Sequence, residues 1–159
     1  MKKVILLVIS VLFLLPCISF AADLDQPMTK QSTLQTEILR GRNAISNIDG
    51  YYDTVDYIGV VDQVIQYNQQ RNTDTDGFYI GAYLAAWWEM DLLITTHQYN
   101  NSEELKLANE GTLAYYNEFR KRQAQYELSD QKLCEASGWI YDKIKPYFDK
   151  YWAKTHPTE

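Results

Sequence analysis

Glu89 and Asp91 stand two residues apart in the stretch GFYIGAYLAAWWEMDLLITTH, Gly77–His97, beside the doublet Trp87-Trp88. Two neighbouring carboxylates are the material of general acid–base catalysis, provided both reach the same substrate atom. At 100° per residue they point about 200° apart around a helix axis, so on one helix they serve different faces and form no such couple. Glu89 falls on the row of Ala82, Ala85 and Ala86, a row suited to close packing. A carboxylate there needs a partner or a cavity. The expectation is an internally satisfied buried acid, with Arg40, Arg42, Arg120 and several tyrosines as possible partners. A ligand-contacting acid is the functional alternative, and simple exposure the third.

Other chemistry finds little material. The chain has two histidines, of which only His97 lies inside the predicted domain. There is no H-E-x-x-H, no Glu-x-x-His pair of the di-iron bundle type and no G-x-S-x-G elbow. The acids of Asn72–Gly77 lack the further ligands and terminal Glu of an EF-hand loop. His97, near a helix end, more simply favours the negative pole of the helix dipole. No catalytic residue, metal or cofactor is therefore expected.

Aromatic residues are the compositional anomaly: thirteen tyrosines and four tryptophans. Tyr51-Tyr52, Trp87-Trp88 and Tyr115-Tyr116 are adjacent pairs. Neighbours on a helix diverge by about 100°, so one member of each pair is free to face outward or into a groove. Tyrosine and tryptophan dominate interface energetics, whereas the plainer reading is a tyrosine-rich core edge. The candidate binding residues are Tyr51, Tyr52, Trp87, Trp88, Glu89, Tyr115 and Tyr116.

The chain opens MKKVILLVISVLFLLPCISFAADLDQ. Lys2 and Lys3 form a basic start, Val4–Leu15 an apolar run, and Ser19-Phe20-Ala21 puts small residues at −3 and −1 for cleavage before Ala22. This is the pattern of a signal peptide. Pro16 before Cys17 does not suit lipidation. The predicted organisation is 1–21 signal peptide, 22–31 flexible leader, 32–155 all-helical domain and 156–159 tail, with the mature chain periplasmic or secreted. Loss of Lys2 and Lys3 takes the formal net charge from −6 to −8. That charge argues against nucleic acid and anionic lipid surfaces, and fits either plain solubility or a basic partner. Cys134 is then the only cysteine, which excludes an intrachain disulfide and favours burial as a small hydrophobe.

Five helical segments must position these residues. Ser32-Thr33-Leu34-Gln35 resembles a capping box, followed by the stripe Leu34, Ile38, Gly41, Ile45 and Ile48, with Gly41 permitting close approach and Gly50 as the stop. A second helix covers about Tyr52 to Arg71, with Val55, Ile58, Val61 and Ile65 as its main stripe, widened by Tyr57, Val60, Val64 and Tyr67. Gly77–His97 is too short in uninterrupted apolar residues to span a bilayer, and apolar nearly all round, so it is the central buried helix. Asn101 with Glu104 caps a fourth helix, about Ser102 to Glu127. Ser129 caps a fifth, whose stripe is Leu133, Ser137, Ile140, Ile144, Tyr147 and Tyr151, with a kink or short break expected at Pro146. The fold class is all-α, a single-domain bundle of about five helices. The segment YIGVVDQV resembles in length a helix of periplasmic immunity proteins, but its glycine spacing and the lack of a cysteine pair depart from theirs, and no family is assigned.

The functional expectation is a periplasmic or secreted non-enzymatic binding protein, an inhibitor or immunity protein against a basic envelope-targeting enzyme. The alternatives are a small-ligand carrier with a Trp/Tyr/Glu-lined pocket around Trp87, Trp88 and Glu89, and an envelope stress chaperone. The expected partner is a protein, with a small molecule as the alternative, no nucleic acid and no membrane span in the mature chain.

Overall fold

The computed structural model describes residues 34–49, 53–71, 76–96, 99 and 101–157. The expectations for the signal peptide, the 22–31 leader, the Ser32 capping box, Gly50, Tyr51, Tyr52 and His97 lie outside the described residues. All described residues belong to one compact unit, Gln31–Glu159. Its helices are α1 (Leu34–Ser46), α2 (Thr54–Gln70), α3 (Asp76–Thr96), α4 (Ser102–Gln125), α5 (Asp130–Ser137) and α6 (Tyr141–Thr155). There is no strand among the described residues, so the domain is an all-α bundle. None of these helices is long and apolar enough to cross a membrane.

The fold is built around α3. Twelve of its residues are buried, and they lie on every side of the axis. α1 crosses it at glycines. A Cβ on Gly41 would stand 1.9 Å from the Phe78 carbonyl oxygen, and one on Gly81 would stand 1.9 Å from that of Ile38. A Cβ on Gly77 would meet the Cβ of Glu37 at 2.7 Å. Only bare backbone lets two helices come this close. Ile38 and Ile45 of α1 are buried on either side of the crossing.

The opposite flank of α3 is aromatic. Trp87 is fully buried and packs against Tyr116 and Phe119 of α4 and Phe148 and Tyr151 of α6, with ring centroids 5.3 to 5.7 Å apart. Phe148 stacks on it at an interplanar angle of 18°, and Tyr151 meets it edge-on at 89°. Each such pair adds about 0.5–1.5 kcal/mol beyond area burial. Arg120 lies over the Tyr116, Phe119 and Phe148 rings and forms an ion pair with Asp130 at the start of α5. Gln123 donates to the Leu128 carbonyl at 2.8 Å and to Asp130 at 2.8 Å, so the α4–α5 turn is held by side chains.

Capping follows the sequence where the residues are described. Asn101 accepts from the Glu104 amide at 2.7 Å, and Ser129 from the Lys132 amide at 3.3 Å. α2 starts at Asp53, whose side chain accepts from the Asp56 amide at 2.9 Å. Three expectations need correction. The fifth segment is two helices, because Gly138 adopts φ 72° and ends α5 there. The Trp139 amide then donates back to the Cys134 carbonyl at 2.8 Å, closing the turn. No break occurs at Pro146: α6 runs through it from Tyr141 to Thr155. The third concerns α2. Its buried face is Tyr57, Val61, Ile65 and Asn68, whereas Val55 is 59% exposed and Tyr67 43% exposed. The wide apolar stripe is thus covered on one side only.

Candidate functional site

The two acids of α3 take different faces, as their spacing requires. Asp91 is the buried one, at 1% exposure. Its carboxylate accepts from the Tyr151 hydroxyl at 2.6 Å and from Lys150 at 2.9 Å. Burial pushes the Tyr151 phenol well above its usual range, and the hydrogen bond to Asp91 adds to this, so the proton stays on the tyrosine. Charge and donors balance here, which makes this pair a tie between α3 and α6.

Glu89 is half-buried rather than enclosed. Desolvation raises its carboxyl above the usual range, and the nearby Arg42 guanidinium offsets part of that rise. The internally satisfied acid is thus Asp91, not Glu89. The reason lies in helix lengths. The alanine row of α3 is covered by α1, which ends at Ser46. Gly77 meets Leu34 and Glu37, and Gly41 meets Ala82, so the two helices advance together and Glu89 lies where α1 runs out.

The aromatic doublets separate unevenly. Trp87 lies enclosed in the core, while Trp88 is half-buried and packs on Trp139 (5.7 Å) and Tyr147 (4.7 Å). Tyr115 and Tyr116 are both buried, against the expectation that one would face outward. Two sides of α4 are covered at this level, one by α3 and α6 and one by α2. Tyr116 takes the first, and Tyr115 faces Tyr83 of α3 where Asp62 of α2 comes near. Tyr115 continues a ladder of stacked rings, Tyr79–Tyr83 at 6.3 Å and Tyr83–Tyr115 at 6.1 Å. Arg122, paired with Glu118, lies over Tyr79 and Tyr83 at 5.3 and 5.2 Å. Burial raises the Tyr83 and Tyr115 phenols, and the Asp62 carboxylate of α2 raises both further. The structure therefore does not bring Trp87, Trp88, Glu89, Tyr115 and Tyr116 into one pocket. Trp87 and Tyr116 share the core, Tyr115 joins the ladder, and Trp88 and Glu89 stay near the surface.

Among the described residues no group of three His, Cys, Asp or Glu side chains is placed to hold a metal ion. Cys134 is fully buried, and burial pushes its thiol up to about 11.

One signal was present in the sequence and not used. From Asn43 to Leu105 the chain carries ten acids and a single lysine or arginine, Arg71. The structure buries part of this run, Asp91, which pairs with Lys150, and exposes another part on α2. On α2, Asp56 and Asp62 are exposed beside Val55, Gln63, Gln66 and Tyr67, and the helix holds no cation. Among the described residues neither Asp56 nor Asp62 sits in an ion pair. Comparison with family models, with curated proteins and with solved structures gives no match.

Proposed function

We propose that the chain is an exported, non-enzymatic binding protein of the bacterial envelope, acting as an inhibitor or immunity protein for a basic, wall-degrading enzyme. The observation that carries this reading is the cation-poor run from Asn43 to Leu105, which holds ten acids against one Arg71 and exposes Asp49, Asp56, Asp62, Asp76 and Glu103. A surface of one sign steers an oppositely charged partner and speeds its encounter. The signal-peptide pattern of residues 1–21 supports export to the compartment where such enzymes act. A small-ligand carrier finds less support, because Trp87 is packed by rings of its own domain.

Two measurements test the reading. The mass of the protein from the periplasmic fraction is expected to correspond to a chain starting at Ala22. That chain, purified, is expected to slow cell-wall lysis by at least one muramidase or amidase of high isoelectric point, about tenfold or more, and to lose this effect as salt is raised, since exposed charges are screened beyond about 8–10 Å. A chain that retains residues 1–21, or that neither binds nor slows any basic wall hydrolase, overturns it.

A further inference from the structure

We propose that the outward face of α2, centred on Gly59, is the surface on which a basic partner protein docks. This rests on the inhibitor reading above and assigns it a place.

The exposed face of α2 is defined by its register. At 100° per residue, Val55, Gly59, Asp62, Gln63 and Gln66 fall within about 100° of one another, with Gly59 near the middle. All five are exposed. Val55 is 59% exposed, an apolar β-branched side chain left in solvent although the helix has a well-filled inner face.

Gly59 has no role inside the fold. A Cβ built on it meets nothing within 4 Å. Gly41, Gly77 and Gly81 are the contrast, since a Cβ on each would strike α1 or α3 at 1.9 to 2.7 Å. Glycine is the poorest ordinary helix former, so an interior glycine without a packing reason weakens α2 to no internal benefit. The same crossing that α1 and α3 make at Gly41 and Gly81 shows what such a residue allows: backbone approach by another element. On α2 that element must come from outside.

Charge selects the occupant. Asp62 lies on this face and Asp56 on its flank, both exposed, on a helix that carries no cation. Exposed acids facing each other would oppose pairing with a second copy of the same surface. A lysine- or arginine-bearing protein surface complements it, with close backbone approach at Gly59, an apolar contact one turn away at Val55 and the glutamines as hydrogen-bonding groups.

The test places a photo-crosslinking benzoylphenylalanine at Gln63 of the full chain, or at Lys121 on the exposed face of α4 as a control, and irradiates cells making the protein. A protein of high isoelectric point is expected to be joined at position 63 and not at 121. Purified, it is expected to bind the wild-type chain, and to bind Gly59→Gln and Asp62→Lys about tenfold more weakly or worse, while Glu110→Lys on α4 changes little. Gly59→Ala is expected to raise the melting temperature and still weaken binding, which separates docking from folding. A basic protein joined only at 121, with binding untouched by Gly59→Gln and Asp62→Lys, overturns this surface and leaves the inhibitor reading standing. An acidic protein, a second copy of the chain, or no adduct at either position overturns both.

Discussion

Gly41 and Gly81 form a reciprocal contact: each lies where a side chain would enter the backbone of the opposite helix, at 1.9 Å from Phe78 O and 1.9 Å from Ile38 O respectively. Neither clash can be relieved by rotating a side chain, because the obstructing atoms are main-chain. Gly41→Ala or Gly81→Ala must push α1 from α3 and open the core around Ile38 and Ile45. Each is expected to cost about 3 kcal/mol or more, beyond the usual over-packing range of about 1–3 kcal/mol. Urea unfolding of the two variants checks this. Gly111→Ala is the control: its Cβ would meet Ile58 at 3.5 Å and Met90 at 3.7 Å, ordinary contacts, so it is expected to be at least as stable as wild type, helped by up to about 1 kcal/mol of helix propensity.

Asp91 and Tyr151 predict a coupled pair. The 2.6 Å bond joins a buried carboxylate to a buried hydroxyl, whereas Lys150, the second donor, is 42% exposed and contributes little. Tyr151→Phe leaves the carboxylate short of a donor in the interior, and Asp91→Ala leaves the hydroxyl short of an acceptor. Either is expected to destabilise by about 2–3 kcal/mol. The double variant should lose less than the sum, by about 1 kcal/mol or more. Strict additivity in denaturant titrations would show that the bond does not hold α6 to α3.

Much of this architecture was legible because helix periodicity reports burial directly. The α1 stripe Leu34, Ile38, Gly41 and Ile45 packs as written, and α3, apolar on all sides, is the centre. The break at Gly138 was hidden by the stripe itself: Leu133, Ser137, Ile140 and Ile144 keep helical spacing across it, yet Ile140 is 60% exposed because the chain turns at the left-handed glycine. At Pro146 the residue type suggested a break, but α6 continues through it although the ring removes the amide that would bond the Asp142 carbonyl. The candidate site was less legible. Spacing tells that Trp87 and Trp88 diverge, but not which sides of a helix will be covered. Tyr115 and Tyr116 are both buried because α4 has neighbours on two sides, and Val55 is exposed because α2 has them on one. Charge distribution, read as a run and not as a net value, was the signal for α2.

Cys134 is expected to behave as a core residue. The native protein should resist a thiol reagent at pH 8 that labels the unfolded chain within minutes. The same burial has a pH consequence. Its thiol titrates at about 11 in the fold, against 9.0 as the ordinary value. Between those values the unfolded chain has given up the proton and the folded chain has kept it, so stability falls as pH rises through the window, by roughly 2 kcal/mol at its upper end. Cys134→Ala should flatten that part of the stability profile. An unchanged slope from pH 9 to 11 would place the loss on other groups.

Glu89 gives the opposite arm of the pH profile. Its carboxyl is raised above 4.5 chiefly by desolvation, with Arg42 offsetting only part of the rise. Over the window above 4.5, the folded chain binds more protons at this site than the unfolded chain does. Stability from this group therefore rises as pH falls into that window and is lost as pH rises through the folded value, so at neutral pH the ionised Glu89 opposes folding. Glu89→Gln removes the charge and keeps the shape. It is expected to melt higher than wild type at pH 7 and to lose that advantage at pH 4, where the wild-type carboxyl is protonated. A variant that melts lower at pH 7 would show that Arg42 holds Glu89 as a stabilising pair, and that the alanine row of α3 is closed at its end by an ion pair instead of a strained acid.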